Sequence, residues 1–288
     1  MMSTERAPIP ILTGIAGISA DRKAWLSDVW GVLHDGVKPF PRAIEACFAF
    51  KEQGGEIVLI SNSPRPSGDV RAHLASLGVP RACFDALVTS GDVTRNVVEA
   101  FGGEPVFHLG PQRDKGIFKG LEVRFAPASE ASALVCTGFF DEDREVPEDY
   151  DAMLAGFAAR GVPMICANPD LYVERGSRLL PCAGLLAARY EAMGQTVIQA
   201  GKPYPPIYET AFKMLSSPLS LRDMLAIGDG ADTDIRGANA QGIDAVYIAS
   251  LVHIAEAAAG HALDSAAVEC LFADRPFHPA AAMTQLQW

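Results

Sequence analysis

Short apolar runs alternate along this chain with segments of helical period, and few folds accommodate that alternation. Strands are predicted near residues 24–30, 56–61, 86–89, 105–109, 133–136, 163–167, 196–199, 224–228 and 244–248. Helices are predicted between many of them, for example over 40–53, where Ile44, Cys47, Phe48 and Phe50 share a face, and over 204–215. Such a pattern builds parallel βαβ units with right-handed crossovers, so the expected fold class is α/β around a parallel sheet. With 288 residues and 49% hydrophobic content, the chain can bury a large core and is expected to form two domains.

Charge narrows the partners. A formal net charge of −11 argues against nucleic acid or an anionic membrane, both of which call for a basic patch. No run approaches the ~18 to 20 continuous apolar residues of a membrane span. Glu5 and Arg6 precede a proline-interrupted apolar stretch from Ala7 to Ile18, a poor signal peptide. Cys47, Cys83, Cys136, Cys166, Cys182 and Cys270 are scattered without a C-x-x-C pair, so they read as reduced thiols, most of them core residues, of a cytoplasmic protein.

Four strand ends carry the chemistry. Asp28 follows the apolar Ala24-Trp25-Leu26 run, and Gly31 just beyond permits a tight turn that leaves a carboxylate at the sheet edge. Ile57 to Ile60 leads into Ser61-Asn62-Ser63, a turn able to offer hydroxyl and backbone N–H groups to an anion. Lys202, between Gly201 and Pro203, stands ahead of a helix starting near Pro205 and can be aimed to neutralise a carboxylate and a phosphoryl group. Met224 to Ile227 runs into Gly228-Asp229-Gly230-Ala231-Asp232-Thr233-Asp234, whose glycines allow a sharp turn. Its three acids repel one another unless a cation or hydrogen bonds compensate, and Mg²⁺ binds through one or two such carboxylates plus water. Asp232 or Asp234 has the alternative role of capping the following helix.

In order, Asp28, Ser61, Lys202 and Gly228-Asp229-x-x-x-Thr233-Asp234 resemble the four motifs of the haloacid dehalogenase (HAD) superfamily, most of whose members are Mg-dependent phosphohydrolases. The interval of about 140 residues between Ser61 and Lys202 resembles the class IIA branch, which inserts a large α/β cap there and includes sugar and nucleotide phosphatases and 4-nitrophenylphosphatases. Ala167-Asn168-Pro169-Asp170 is similar to a loop of those caps, and Thr89-Ser90-Gly91 to the strand before them. The resemblance implies a Rossmann-like core from residues 1–101 and 196–288 and a cap over 102–195, with glycine breaks at Gly102-Gly103 and Gly194. It implies that Asp28 is the nucleophile, forming an aspartyl phosphate. Mg²⁺ would be held by Asp28, Asp229 and the backbone carbonyl of Trp30. Ser61, Asn62 and Ser63 would bind the phosphoryl group, Lys202 would neutralise charge, and Asp234 would support the metal or the lysine. The implied partner is a small phosphorylated metabolite, with a homodimer left open.

One departure matters. Many family phosphatases carry a second Asp two residues after the nucleophile as general acid and base, and Trp30 stands there. Indole cannot fill that role, which is typically worth about 10²- to 10⁴-fold in rate, so a slow phosphatase is expected. His34 and Asp35 are candidate replacements, or else turn residues facing solvent. A dehalogenase-like hydrolase and a non-catalytic binder of phosphorylated metabolites are the alternatives.

Overall fold

The computed structural model describes residues 8–175, 178–249 and 263–288; Glu5, Arg6 and Ala7 lie outside the described residues. Its strands are β1 (Ala24–Ser27), β2 (Glu56–Ser61), β3 (Ala86–Thr89), β4 (Pro105–Leu109), β5 (Arg124–Phe125), β6 (Ala133–Cys136), β7 (Met164–Cys166), β8 (Tyr172–Arg175), β9 (Arg178–Pro181), β10 (Val197–Gln199), β11 (Met224–Gly228), β12 (Ala245–Ile248) and β13 (Ala281–Met283). The expected α/β class holds, as a six-stranded parallel sheet ordered β13-β12-β11-β1-β2-β3 beside a five-stranded parallel sheet ordered β10-β7-β6-β4-β5. A separate antiparallel hairpin pairs β8 with β9.

The six-stranded sheet is apolar on both faces because helices cover both, and the two-residue period of its strands sorts side chains between two cores. Ala24, Leu26, Val58, Ile60, Ala226 and Tyr247 face one. Trp25, Ile57, Leu59, Leu225, Ile227 and Val246 face the other. In the second core Trp25 is fully buried and stacks on Phe50 of the helix Pro41–Glu52, with ring centroids 4.2 Å apart and planes 6° from parallel. Its indole N–H donates to Ser19 Oγ at 3.1 Å, so no polar atom of the ring is stranded.

The five-stranded sheet repeats the arrangement on a smaller scale. Leu134, Cys136, Met164 and Cys166 pack on one face with Leu186 and Tyr190 of the helix Ala183–Ala192. Val106, Ala133, Val135 and Ile165 pack on the other. The helix Ser90–Ala100 joins the two bodies: Val93 packs into a core of the large sheet and Val98 into a core of the small one. A capping box at its start, Asp92 N–H to Thr89 Oγ1 and Thr89 N–H to Asp92 Oδ2, holds its first turn.

Several expectations change. β10, placed by sequence with the large sheet, hydrogen-bonds to β7 of the small one, so the small sheet extends through Gln199 and past the expected break at 195. The first strand ends at Ser27, which leaves Asp28 just beyond it with its N–H still donating to Ile227 O at 2.8 Å. β5, the β8–β9 hairpin and β13 were not expected. β5 is two exposed residues, the hairpin is rich in charge, and β13 is mostly alanine, so none carries a strand signature. Among the described residues no helix is long and apolar enough to cross a membrane.

Trp25→Ala should cost about 3–5 kcal/mol, the usual range for a large aromatic removed from a core. A urea titration should show a lower midpoint at unchanged slope; a loss under 1 kcal/mol would mean that the Trp25–Phe50 stack is not central to this core.

Candidate functional site

Lys202 is the centre of the site. It is 3% exposed, and its ammonium donates to Asp28 Oδ1 at 2.6 Å and to Asp234 Oδ1 at 2.8 Å. These partners arrive from three places in the sequence: the end of β1, the link after β10, and the π-type turn Ala231–Ile235 that follows β11. Asp229 completes the group, since Asp28, Asp229 and Asp234 each bring a carboxylate oxygen within 4.8 Å of the others.

Glycine makes this crowding possible at two points. Gly31 has φ +78°, and a Cβ there would lie 2.1 Å from Asp229 Oδ2. Gly228 has no left-handed φ, so its requirement is space and not turn geometry: a Cβ would lie 2.1 Å from Asp234 Cγ. Asp234 is then locked from its other side, its Oδ2 accepting the Gly230 N–H at 3.1 Å.

Asn62 aims the lysine. Its Oδ1 accepts the Lys202 backbone N–H at 2.7 Å, and its Nδ2 donates to the Lys202 carbonyl at 3.1 Å and to Asp170 Oδ1 at 2.8 Å. The side chain of Asn62 therefore positions its neighbours instead of standing open to a ligand. Ser61 and Ser63 form the turn beside it: Ser61 Oγ accepts from Ser63 N–H at 3.2 Å, and Ser63 Oγ from Arg65 N–H at 3.3 Å. Asp170 is not among the site residues that the four motifs imply; its signal in the sequence is the Asn168-Pro169-Asp170 loop. Asp232 leaves the acid group, because its exposed carboxylate pairs with Arg275 at 2.8 Å.

The electrostatics are lopsided. Burial raises the carboxyl groups of Asp28, Asp170, Asp229 and Asp234, and the Lys202 charge opposes the rise in each. Asp170 and Asp234 are held at about 6, and Asp229 is pushed well above the carboxylate range. Burial also disfavours charge on Lys202, but the surrounding carboxylates win and raise it. Four carboxyl groups around one ammonium are more than it can neutralise, which is why burial keeps protons on some of them, and they are the oxygen donors that a hard divalent cation fits.

Two clefts, of about 330 and 400 Å³, meet at Asp28, Trp30, Asp170 and Val173. Trp30 lines both, with its indole edge-on to His34 at 5.0 Å between centroids and packed over Gly36. His34 does not face solvent. It is 1% exposed, burial lowers its pKa to about 4, and its Nδ1 accepts the Gly36 N–H at 2.8 Å. Asp35 is a turn residue whose Oδ1 accepts from Val37 and Lys38 N–H, contacts that lower its pKa although slight burial opposes them. Neither group carries a proton to donate near neutral pH.

Residues 25–124 match the haloacid dehalogenase-like hydrolase family, and residues 199–268 the HAD-hydrolase-like family. A crystal structure of a haloacid dehalogenase-like hydrolase from Brucella suis 1330 superposes with TM-score 0.84 at 40% identity, over 95% of this chain and 98% of that one. The chain belongs to the HAD-like hydrolases. The HAD relatives it resembles include 5'-nucleotidase YutF of Bacillus subtilis, 25% identical over 78% of this chain and 86% of that protein. Ribonucleotide monophosphatase NagD of Escherichia coli K12 is 27% identical over the same shares. The recognition drawn from the four motifs holds, and with it the class of enzyme, a HAD-type phosphatase.

Lys202→Met should remove the only ammonium from this cluster and cost about 3–5 kcal/mol near neutral pH, because two buried carboxylates lose their partner. The sign with pH follows from the raised carboxyl groups. The folded state binds protons that the unfolded state has released above about 4, so stability falls as pH rises through about 6, and further without the lysine. Urea titrations in chelator should show a larger deficit at pH 8 than at pH 5. A deficit independent of pH would show that the ion pairs do not set the stability of the site.

Proposed function

We propose that this HAD hydrolase is a Mg²⁺-dependent phosphatase of small phosphate monoesters, with Asp28 as nucleophile. The observation that carries it is the Asp28–Lys202–Asp234 ion-pair chain beside Asp229, which lines the smaller cleft and reaches the larger one at Asp28. Asp28, Asp229 and the Trp30 carbonyl would hold Mg²⁺, which supplies charge stabilisation to the phosphoryl oxygens, and Asp234 keeps Lys202 in place.

In the first step an Asp28 oxygen bonds to phosphorus while the bond from phosphorus to the ester oxygen breaks, leaving an aspartyl phosphate. Lys202 offsets charge on Asp28 and on the phosphoryl group; Ser61, Ser63 and the Asn62 N–H orient that group. In the second step water attacks phosphorus and frees phosphate and Asp28. The pairing of Asp28 with Lys202 supports catalysis over binding alone, and the nucleotide phosphatases among the relatives support a phosphate ester over a carbon–halogen bond. The small sheet, with the Asp170 loop against Asn62, serves as a cap over the site. Five buried, unpaired thiols are in keeping with a cytoplasmic location.

Trp30 decides which esters react quickly. With His34 neutral and Asp35 engaged in its turn, the ester oxygen departs as an anion that solvent protonates. Across substituted phenyl phosphates the rate should fall steeply as leaving-group pKa rises, with a burst of phenol before a slower steady state. Rapid-quench sampling reads both, and a flat dependence would reveal a replacement acid and defeat the reading of Trp30.

The cation assignment has its own check. Mg²⁺ should raise the melting temperature of the wild type, and Asp229→Asn should remove most of that gain. An unchanged Mg²⁺ response in Asp229→Asn would overturn Asp229 as a ligand.

A further inference from the structure

The larger cleft is lined by Ser61, Asn62, Ser63, Arg65, His73 and Arg113 and by Arg175 of the β8–β9 hairpin, and not every arginine in it is paired with an acid. Arg113 is matched: its Nη2 meets Glu142 Oε1 at 2.6 Å and its Nε lies 4.0 Å from Asp114 Oδ1. Among the described residues, neither Arg65 nor Arg175 has a side-chain hydrogen bond or an ion pair. Arg65 is half-buried, and its backbone is fixed, since a Cβ on Gly91 would come within 2.7 Å of the Arg65 carbonyl. Arg175, exposed on the hairpin, lines the same cleft.

Arg65 and Arg175 line one cleft, and the charges of both reach His73. After burial, the positive charges of Arg65 and then Arg175 hold His73 below its ordinary pKa, and Arg65 acts also on Asp114 across the cleft. A half-buried guanidinium without an anion bears a desolvation cost that a bound anion would relieve. Its planar fork suits carboxylate and phosphate, and it does so beside the turn that would orient the scissile phosphoryl group.

We propose that Arg65 and Arg175 form a subsite for a second anionic group, carboxylate or phosphate, carried on the leaving-group side of the substrate. The inference rests on the phosphatase reading and deepens it: the substrate class is a small phosphate monoester bearing a further negative charge, such as a carboxylated aryl phosphate or an aryl bisphosphate, whose leaving oxygen departs as a phenolate.

The test compares 3-carboxyphenyl phosphate with its neutral match 3-carbamoylphenyl phosphate, and adds 1,3-phenylene bisphosphate as the phosphate arm. In the wild type at least one of the two anionic esters should exceed the carboxamide by about tenfold in kcat/KM, mostly through a lower KM. Which one does so distinguishes a carboxylate site from a phosphate site. Arg65→Gln should bring that ratio close to one, Arg175→Gln should lower it, and Arg65→Lys should keep part of it. The ratio is insensitive to a fold defect, which slows all three esters together. A wild-type ratio near one for both anionic esters, or a ratio unchanged in Arg65→Gln, would overturn the subsite. Turnover of none of the three would instead defeat the phosphatase reading. The subsite would then be read from thermal stabilisation by 3-phosphonopropanoate against its amide: a larger shift with the carboxylate, lost in Arg65→Gln, supports it, and equal shifts overturn it.

Discussion

The ammonium of Lys202 is the constraint on which the rest of this molecule is arranged. A buried lysine stays charged only where carboxylates surround it, and buried carboxylates stay ionised only where a cation answers them, so in the Asp28–Lys202–Asp234 chain each charge supports the others. The ends of β1 and β11 stand side by side because those strands pair in parallel register, Ser27 opposite Ile227, and this brings Asp28 and Asp229 to one sheet edge. Lys202 enters from the strand β10 of the other sheet. The site therefore exists only where the two sheets meet.

Asn62 converts that meeting into a defined geometry. One amide satisfies both backbone groups of Lys202 and holds Asp170 of the opposing loop, tying strand β2, the lysine link and the Asn168-Pro169-Asp170 loop at a single point. Ser90 reinforces the junction, donating to the Asn62 carbonyl at 3.2 Å and to the Ala167 carbonyl. A buried amide that uses both its oxygen and its nitrogen leaves little freedom for the chain around it.

On the proposed reading, Trp30 keeps the backbone of the site and changes its chemistry. A backbone carbonyl is present whatever side chain its residue carries, so the groups that would hold a cation remain. Indole has none of the proton-transfer capacity of a carboxylate; it packs on Gly36 and His34 and lines both clefts. The buried, neutral His34 is part of that support.

Much of the fold was legible because its signal is local. Strand runs such as Ile57 to Ile60 and helix faces such as that of Cys47 and Phe50 are written in consecutive residues, as are the turns that place Asp28, Ser61 and Asp229. The chain alone thus determined the α/β class, the order of the motifs and the departure at Trp30. Only the tertiary structure decided that Asp232 turns away to Arg275, that β10 joins the small sheet, that Asp170 reaches Asn62, and that His34 is buried and not solvent-facing. The same holds for the unmatched charges of Arg65 and Arg175. The physical reason is common to all of them: whether a charged or polar side chain is paired, buried or solvated depends on partners from distant parts of the chain, whose approach no local pattern encodes.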